Sequence, residues 1–164
     1  MTGGKIEAGT DGTGVVFLGG WNNGDAGIAR RGVINQGGGT ITAAEQILVG
    51  NYYGSGTWNL SEDDAPALVE VDRRFVVGTR SSEVDTSVFN QSAGTVRVPN
   101  HYHARDYEFA VGWDAGSAGA YNLSGGSLPA SGDSPTGRHD VAVFNVRGGR
   151  LLAAIRDQPL VQVD

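Results

Sequence analysis

The residues best suited to chemistry are concentrated in the segment 99–108. This segment contains two of the three histidines, two tyrosines and an arginine, and the candidates among them are His101, Tyr102, His103 and Arg105. The third histidine, His139, lies in a later loop beside an arginine and an aspartate. If the two loops fold together, imidazole and carboxylate groups could form a three-ligand metal site. The same groups could instead act as acid and base in a lyase or hydrolase. The spacing does not separate these chemistries from an ordinary surface loop.

Aromatic residues that follow short apolar runs form a second candidate site. The runs end at Gly20, Gly50, Gly78 and Gly112. The residues after three of these glycines are Trp21, Tyr52, Tyr53, Trp113 and Asp114. Aromatic rings beside polar groups are suited to stacking on sugar rings, because a ring offers a large apolar face. We therefore predict that these residues and those of the histidine segment contact a carbohydrate. The alternative is that the rings cover the turns.

Charged residues offer weaker candidates. The arginines spread along the chain are Arg73, Arg74, Arg80, Arg97, Arg105 and Arg138. They could align into a stripe for an anionic glycan, but acidic neighbours such as Glu70 and Asp72 favour local ion pairs. Acidic loop residues such as Asp11 and Glu62 could bind calcium, although no EF-hand pattern is present. We therefore predict no cofactor, and the identity of any metal stays unknown.

Composition excludes several classes of partner. The net charge is −6, which argues against nucleic acid, since phosphate contacts need a cationic surface. No apolar run is long enough for a transmembrane helix, so we predict no membrane insertion. There are no cysteines, which excludes disulfides and thiol chemistry. Glycine supplies 27 of 164 residues without a three-residue period, as expected for closely spaced turns rather than collagen.

An imperfect repeat of about thirty residues organises the chain. One repeated element has an asparagine inside a short apolar strand, at Asn35, Asn59, Asn90, Asn122 and Asn145. The other is the glycine-ended apolar run, and the two alternate at a similar mean spacing. A unit this thin cannot bury both of its faces alone, whereas stacking units upon one another buries a continuous core. Stacked asparagine amides can bond to one another, so we expect these five residues to be structural.

The strings Tyr121–Gly126 and Val88–Gly94 resemble the glycine-rich repeats of bacterial surface proteins, including autotransporter passenger regions and polysaccharide-associated modules. The resemblance covers roughly residues 15–151. It implies a parallel β-helix exposed outside the cell, and it carries no catalytic residues to this chain.

These observations predict an all-β fold, a single-stranded parallel β-helix of four to five coils. Residues 1–164 would form one domain, with a repeat core at about 15–151, an N-terminal cap at 1–14 and a C-terminal cap strand or turn at 152–164. The predicted function is an extracellular, non-catalytic module for carbohydrate binding or adhesion. The partner would be a polysaccharide or cell-surface glycan, and the chain could form a homo-oligomer. The alternatives are a structural protein of a cell surface or phage particle, and a polysaccharide lyase or hydrolase that uses the segment His101–Glu108.

Overall fold

A computed structural model of the chain describes residues 1–9, 13–20, 30–51, 54–63, 65–79, 86–98, 109–113, 117–131, 141–146, 150–154 and 161–163. Within these residues all regular structure is β-strand. The strands are β1 (Lys5–Ala8), β2 (Val15–Leu18), β3 (Arg30–Gln36), β4 (Gly39–Ala43), β5 (Gln46–Val49), β6 (Gly54–Leu60), β7 (Ala67–Val71), β8 (Arg74–Val77), β9 (Ser87–Gln91), β10 (Thr95–Arg97), β11 (Phe109–Val111), β12 (Ala118–Leu123), β13 (Ser127–Ser131), β14 (Val141–Val146), β15 (Arg150–Ala154) and β16 (Val161–Val163).

The strands form three sheets, and strands that follow one another in sequence belong to different sheets, except β15 and β16. The seven-stranded sheet has the order β1-β4-β7-β10-β13-β15-β16. The four-stranded sheet has the order β2-β5-β8-β11, and the five-stranded sheet has the order β3-β6-β9-β12-β14. All described pairs are parallel except β15 with β16, which is antiparallel. The prediction of an all-β fold made of parallel sheets is confirmed.

The repeat seen in the sequence sets the register of the five-stranded sheet. Asn35 is opposite Asn59, which is opposite Asn90, and Asn122 and Asn145 continue the row. Side chains alternate between the two faces of a strand. The residue before each asparagine therefore points to the other face, where Trp58, Phe89 and Tyr121 are fully buried.

The core lies where the inward faces of the sheets meet. It contains aliphatic residues of the seven-stranded sheet, such as Ile41 and Val69, and a cluster of aromatic rings. The Phe89 and Tyr121 rings stack with centroids 4.9 Å apart, and the Phe75 ring meets Phe89 edge-on at 5.1 Å. Rings at these distances add an attraction beyond the burial of their area, so the aromatic row binds successive strands together.

Glycines with positive φ close the turn after each strand of the four-stranded sheet. They are Gly19, Gly50, Gly78 and Gly112, with φ between 66° and 80°. At Gly78 a Cβ atom would lie 2.5 Å from the Ala118 carbonyl oxygen, so this corner requires glycine for space as well as for φ. The sequence comparison aligned Gly20 with Gly50, but Leu18 is opposite Val49, and Gly19 is therefore the equivalent glycine. Because residues 19 and 20 are both glycine, residue type alone could not show which of them is equivalent to Gly50.

Candidate functional site

Most of the residues proposed for ligand contact lie outside the described residues. These are Trp21, Tyr52, Tyr53, His101, Tyr102, His103, Arg105 and Asp114, and His139 lies outside as well. Trp113 is the member of the set that the structure describes. It directly follows Gly112, and its backbone N–H donates to the Gly78 carbonyl oxygen at 2.8 Å. The corner of the preceding strand therefore positions the start of the loop that carries the indole.

The Trp113 side chain is half-buried on the outer face of the four-stranded sheet. It packs against a small cluster of buried aliphatic residues, Leu48, Val76 and Ala110, that is separate from the main core. The Arg74 guanidinium lies over the indole, 5.1 Å from the ring centroid. A cation at this distance is attracted to the electron-rich ring face, so the indole is held in place by groups of this chain.

The register also changes how the aromatic residues compare with one another. Trp113 comes one residue after Gly112, whereas Trp21 comes two residues after Gly19, the glycine equivalent to it. In the neighbouring turns of the four-stranded sheet, the positions equivalent to Trp113 are Thr79 and Asn51. Counted from the equivalent glycines, Trp21 and Trp113 therefore differ by one residue in their position in the repeat.

Asn51 and Thr79 form a buried polar pair at this corner. The Thr79 hydroxyl donates to the Asn51 side-chain oxygen at 3.0 Å, and Thr79 and Asn51 are 8% and 2% exposed, respectively. Asn51 directly follows Gly50 and precedes Tyr52, so by sequence it is one of the polar residues beside the aromatic candidates. Its burial assigns it instead to joining one turn to the next.

The described arginines bond to groups of this chain. Arg97 contacts Glu70 at 3.4 Å across neighbouring strands, and Arg73 contacts Glu45 at 3.3 Å. The predicted ion pairing is confirmed for Arg73 and Arg97, whereas the contact described for Arg74 is with the Trp113 ring. Surface pairs of this kind add about 0–1 kcal/mol each, so they align neighbouring strands more than they stabilise the fold.

The asparagine row is a hydrogen-bonded ladder on the outer face of the five-stranded sheet. The Asn59 amide donates to Asn35 at 2.7 Å, Asn90 donates to Asn59 at 2.8 Å, and Asn122 donates to Asn90 at 2.7 Å. The structural role predicted for the five asparagines is confirmed by the three bonds for Asn35, Asn59, Asn90 and Asn122, and the Asn145 side chain lies outside what the structure describes. The ladder is on the solvent side: Asn35 is exposed and the next three are partly exposed.

A second set of amides, facing inward, was not identified from the sequence. Gln91 donates to the carbonyl oxygens of Gly94 and Ser127 at 2.9 and 3.0 Å, and it accepts a hydrogen bond from the Tyr121 hydroxyl at 2.5 Å. Gln36 donates to the carbonyls of Gly39 and Leu68 in the same way. Burial raises the pKa of the Tyr121 hydroxyl well above its ordinary value. The sequence signal that could have identified these glutamines is the dipeptide Asn-Gln, which occurs at residues 35–36 and 90–91.

Within the described residues, no three histidine or acidic side chains lie close enough together to hold a metal ion. The described part of the chain also contains no helix long and apolar enough to cross a membrane.

Comparison with known proteins adds no relative: no family model matches the chain, and neither a curated protein nor a solved structure does.

Proposed function

We propose that the three parallel sheets are the three sides of a β-solenoid, and that the chain is a non-catalytic, extracellular module that binds polysaccharide. The solenoid proposal rests on the order in which the chain passes from sheet to sheet. Strands β1, β2 and β3 enter the three sheets in turn, and β4 to β6, β7 to β9 and β10 to β12 repeat the same order. With the strands that follow, this pattern corresponds to four to five coils.

The observation that supports binding is the stacking of the glycine corners. Gly50, Gly78 and Gly112 are joined by backbone hydrogen bonds from one strand to the next. The loops that follow these corners therefore start side by side along one edge of the four-stranded sheet. Loops held by a repetitive scaffold are the usual place for binding residues. These loops contain Tyr52, Tyr53, Trp113 and Asp114.

Trp113 is a suitable platform for a sugar ring. Its indole is partly exposed, and it is held by Arg74 and by the aliphatic cluster beneath it. A ring that is already fixed loses little conformational freedom when a ligand binds, which favours affinity.

The non-catalytic part of the proposal rests on how the described polar side chains are used. The asparagine ladder, the inward glutamines and the Arg–Glu pairs all join neighbouring strands. The tyrosine with a raised pKa, Tyr121, is fully buried and bonded to Gln91, where it contacts no solvent. These groups serve the scaffold, so we assign binding to the loops.

A glycan array with the purified chain tests the proposal. We expect binding to at least one polysaccharide class, with a loss of about tenfold or more in affinity for Trp113→Ala, since one stacked ring contributes at least about 1.4 kcal/mol. Trp21→Ala is measured in parallel, because it tests the loop of the first corner.

Val33→Ala is the matched control, because Val33 is an exposed apolar residue on a different sheet, with 64% exposure. It should bind as the unmodified chain does. Absence of binding to every glycan, or equal binding by both tryptophan variants and the control, would show that carbohydrate is not the ligand of these loops.

A further inference from the structure

The first strand of the seven-stranded sheet has one open edge. Among the described strands, β1 is the last of its sheet and pairs only with β4. Lys5, Ile6 and Glu7 are all exposed. Ile6 has the inward register of Ile41, yet it is 49% exposed, compared with 2% for Ile41. An open strand with a half-exposed isoleucine is a template for pairing with another strand.

The backbone groups of this edge can be assigned from the bonds on its other side. The carbonyl oxygens of Gly4 and Ala8 accept from Thr40 and Ala44 of the neighbouring chain segment. Backbone N–H and C=O groups alternate in direction along a strand. The N–H and C=O groups of Lys5 and Glu7 therefore point away from β4, towards the open edge.

The sequence of this strand is complementary to itself in the antiparallel direction. If two copies pair with Ile6 opposite Ile6, then Lys5 of each copy is opposite Glu7 of the other. Lys5 and Glu7 are also the residues whose backbone groups face the open edge. They would form the hydrogen-bonded pairs of an antiparallel ladder, and Ile6 would occupy the non-hydrogen-bonded pair, where side chains are closest. Side-chain charge and backbone direction thus require the same register.

The other end of the same sheet shows that an antiparallel strand can close it. There β15 pairs with β16 in the antiparallel sense, with Leu152 opposite Gln162. This end is covered by a strand of the chain itself. A head-to-tail contact, in which β1 of one copy meets this end of the next, would therefore have to displace β16. A head-to-head contact between two β1 edges needs no such change.

We propose that the β1 edge is the interface of a twofold-symmetric homodimer, in which two β1 strands pair antiparallel about Ile6. The dimer buries the half-exposed isoleucines against each other. Within one chain the Lys5 ammonium and the Glu7 carboxylate are 2.7 Å apart, and in the dimer each also faces its counterpart across the twofold axis. The two open edges become one continuous sheet. Twofold contacts of this kind use the same surface on both copies and close on themselves.

Charge-reversal variants test the register by sedimentation equilibrium over a wide range of concentration. The unmodified chain should dimerise. Lys5→Glu or Glu7→Lys alone places like charges opposite each other twice, and each should raise the dimer dissociation constant about tenfold or more. The double variant K5E/E7K restores both pairs and should dimerise as the unmodified chain does. An equimolar mixture of the two single variants should form a heterodimer, because two acidic side chains of one copy then face two basic side chains of the other.

Arg97→Glu is the matched control, because it makes the same change of charge on the outward face of the same sheet, away from the edge. It should leave dimerisation unaltered. Three results would each overturn the proposal: a monomeric unmodified chain, single variants that dimerise like the control, or a double variant and a mixture that stay monomeric. Glycan binding is scored separately, so failure of the dimer leaves the proposed function untouched.

Discussion

Two buried glutamines in the core have the same neighbours in the sheet, but their side chains differ in hydrogen bonding. Gln91 is opposite Leu123, and Tyr121 lies two residues before that leucine. Gln36 is opposite Leu60, and Trp58 lies two residues before that leucine. The Tyr121 hydroxyl donates to the Gln91 side-chain oxygen. In the described part of the chain, the Gln36 side-chain oxygen and the Trp58 indole N–H are both buried without a hydrogen-bond partner.

The difference shows that the neighbouring aromatic side chain, and not the backbone, decides whether the glutamine side-chain oxygen has a hydrogen-bond donor. Both glutamines donate to two carbonyl oxygens at the turn, so the backbone arrangement is the same. Tyrosine carries its hydroxyl at the end of the ring, whereas the indole N–H lies at the side of a larger ring system. A buried polar atom without a partner costs about 1–3 kcal/mol. The region around Gln36 should therefore contribute less to the stability of the fold than the region around Gln91.

Replacing each glutamine by leucine gives the largest contrast. Leucine occupies the equivalent position in neighbouring strands at Leu60 and Leu123, so the side chain fits. Gln91→Leu removes the side-chain oxygen that accepts from the buried Tyr121 hydroxyl, and we expect a loss of about 3 kcal/mol in the free energy of unfolding. Gln36→Leu removes an amide that is already incompletely satisfied, so about 1 kcal/mol is expected. Urea denaturation measures both values, and equal losses would contradict this account.

Tyr121→Phe should leave the region around Gln91 with the same unsatisfied glutamine oxygen as the region around Gln36. It removes only the hydroxyl and leaves the Gln91 oxygen buried without a donor, at a cost of about 1–2 kcal/mol. Combined with Gln91→Leu, it should cost less than the sum of the two single changes, because both delete the same bond. Strict additivity in this double-mutant cycle would show that the bond contributes nothing.

The raised pKa of Tyr121 predicts a loss of stability at alkaline pH. An unfolded tyrosine ionises near pH 10, while the buried hydroxyl stays protonated to higher pH. Below about pH 10 the hydroxyl is protonated in both the folded and the unfolded state, so its contribution to the free energy of unfolding is fully present. As pH rises from there towards the folded pKa, the unfolded state ionises first, and stability falls by up to about 1.4 kcal/mol per pH unit. The difference between the unmodified chain and Tyr121→Phe isolates this effect, and identical slopes would argue against it.

Trp58→Tyr is expected to give the smallest change in the free energy of unfolding. Tyrosine at this position places a hydroxyl where Tyr121 has one relative to its glutamine, so it should donate to the Gln36 oxygen. The lost indole volume costs about as much as this bond contributes, so we expect a net change within about 1 kcal/mol. Trp58→Phe is the control, since it has no hydroxyl, and it should be less stable than Trp58→Tyr by about 1 kcal/mol. The opposite order would contradict the comparison.

Much of the fold could be predicted from the sequence, because the repeat is written in local features. The asparagine row is in register at the five positions that the repeat identified. Strands alternate inward and outward residues, and glycines with positive φ close the turns. These properties depend on a few adjacent residues, so the sequence reveals them.

The candidate site was less predictable, because it depends on contacts between distant residues. Trp113 was proposed as a ring open to ligand, and the structure adds that Arg74 lies over it and that an aliphatic cluster supports it. Asn51 is a polar neighbour of the aromatic candidates in the sequence, and in the structure it is buried with Thr79. Arg74 and Trp113 are far apart in sequence, and no local pattern connects them.

By itself, the sequence determined the repeat, the β-strands, the glycine turns and the asparagine row, since each follows from side-chain alternation and turn geometry. Only the tertiary structure decided that Gly19 rather than Gly20 closes the first corner and that Gln91, unlike Gln36, has a hydroxyl donor. It also decided that Ile6 stands half-exposed on an open edge. The reason is physical: register, donor distance and exposure depend on which strands are neighbours, and the packing of the whole chain sets that neighbourhood.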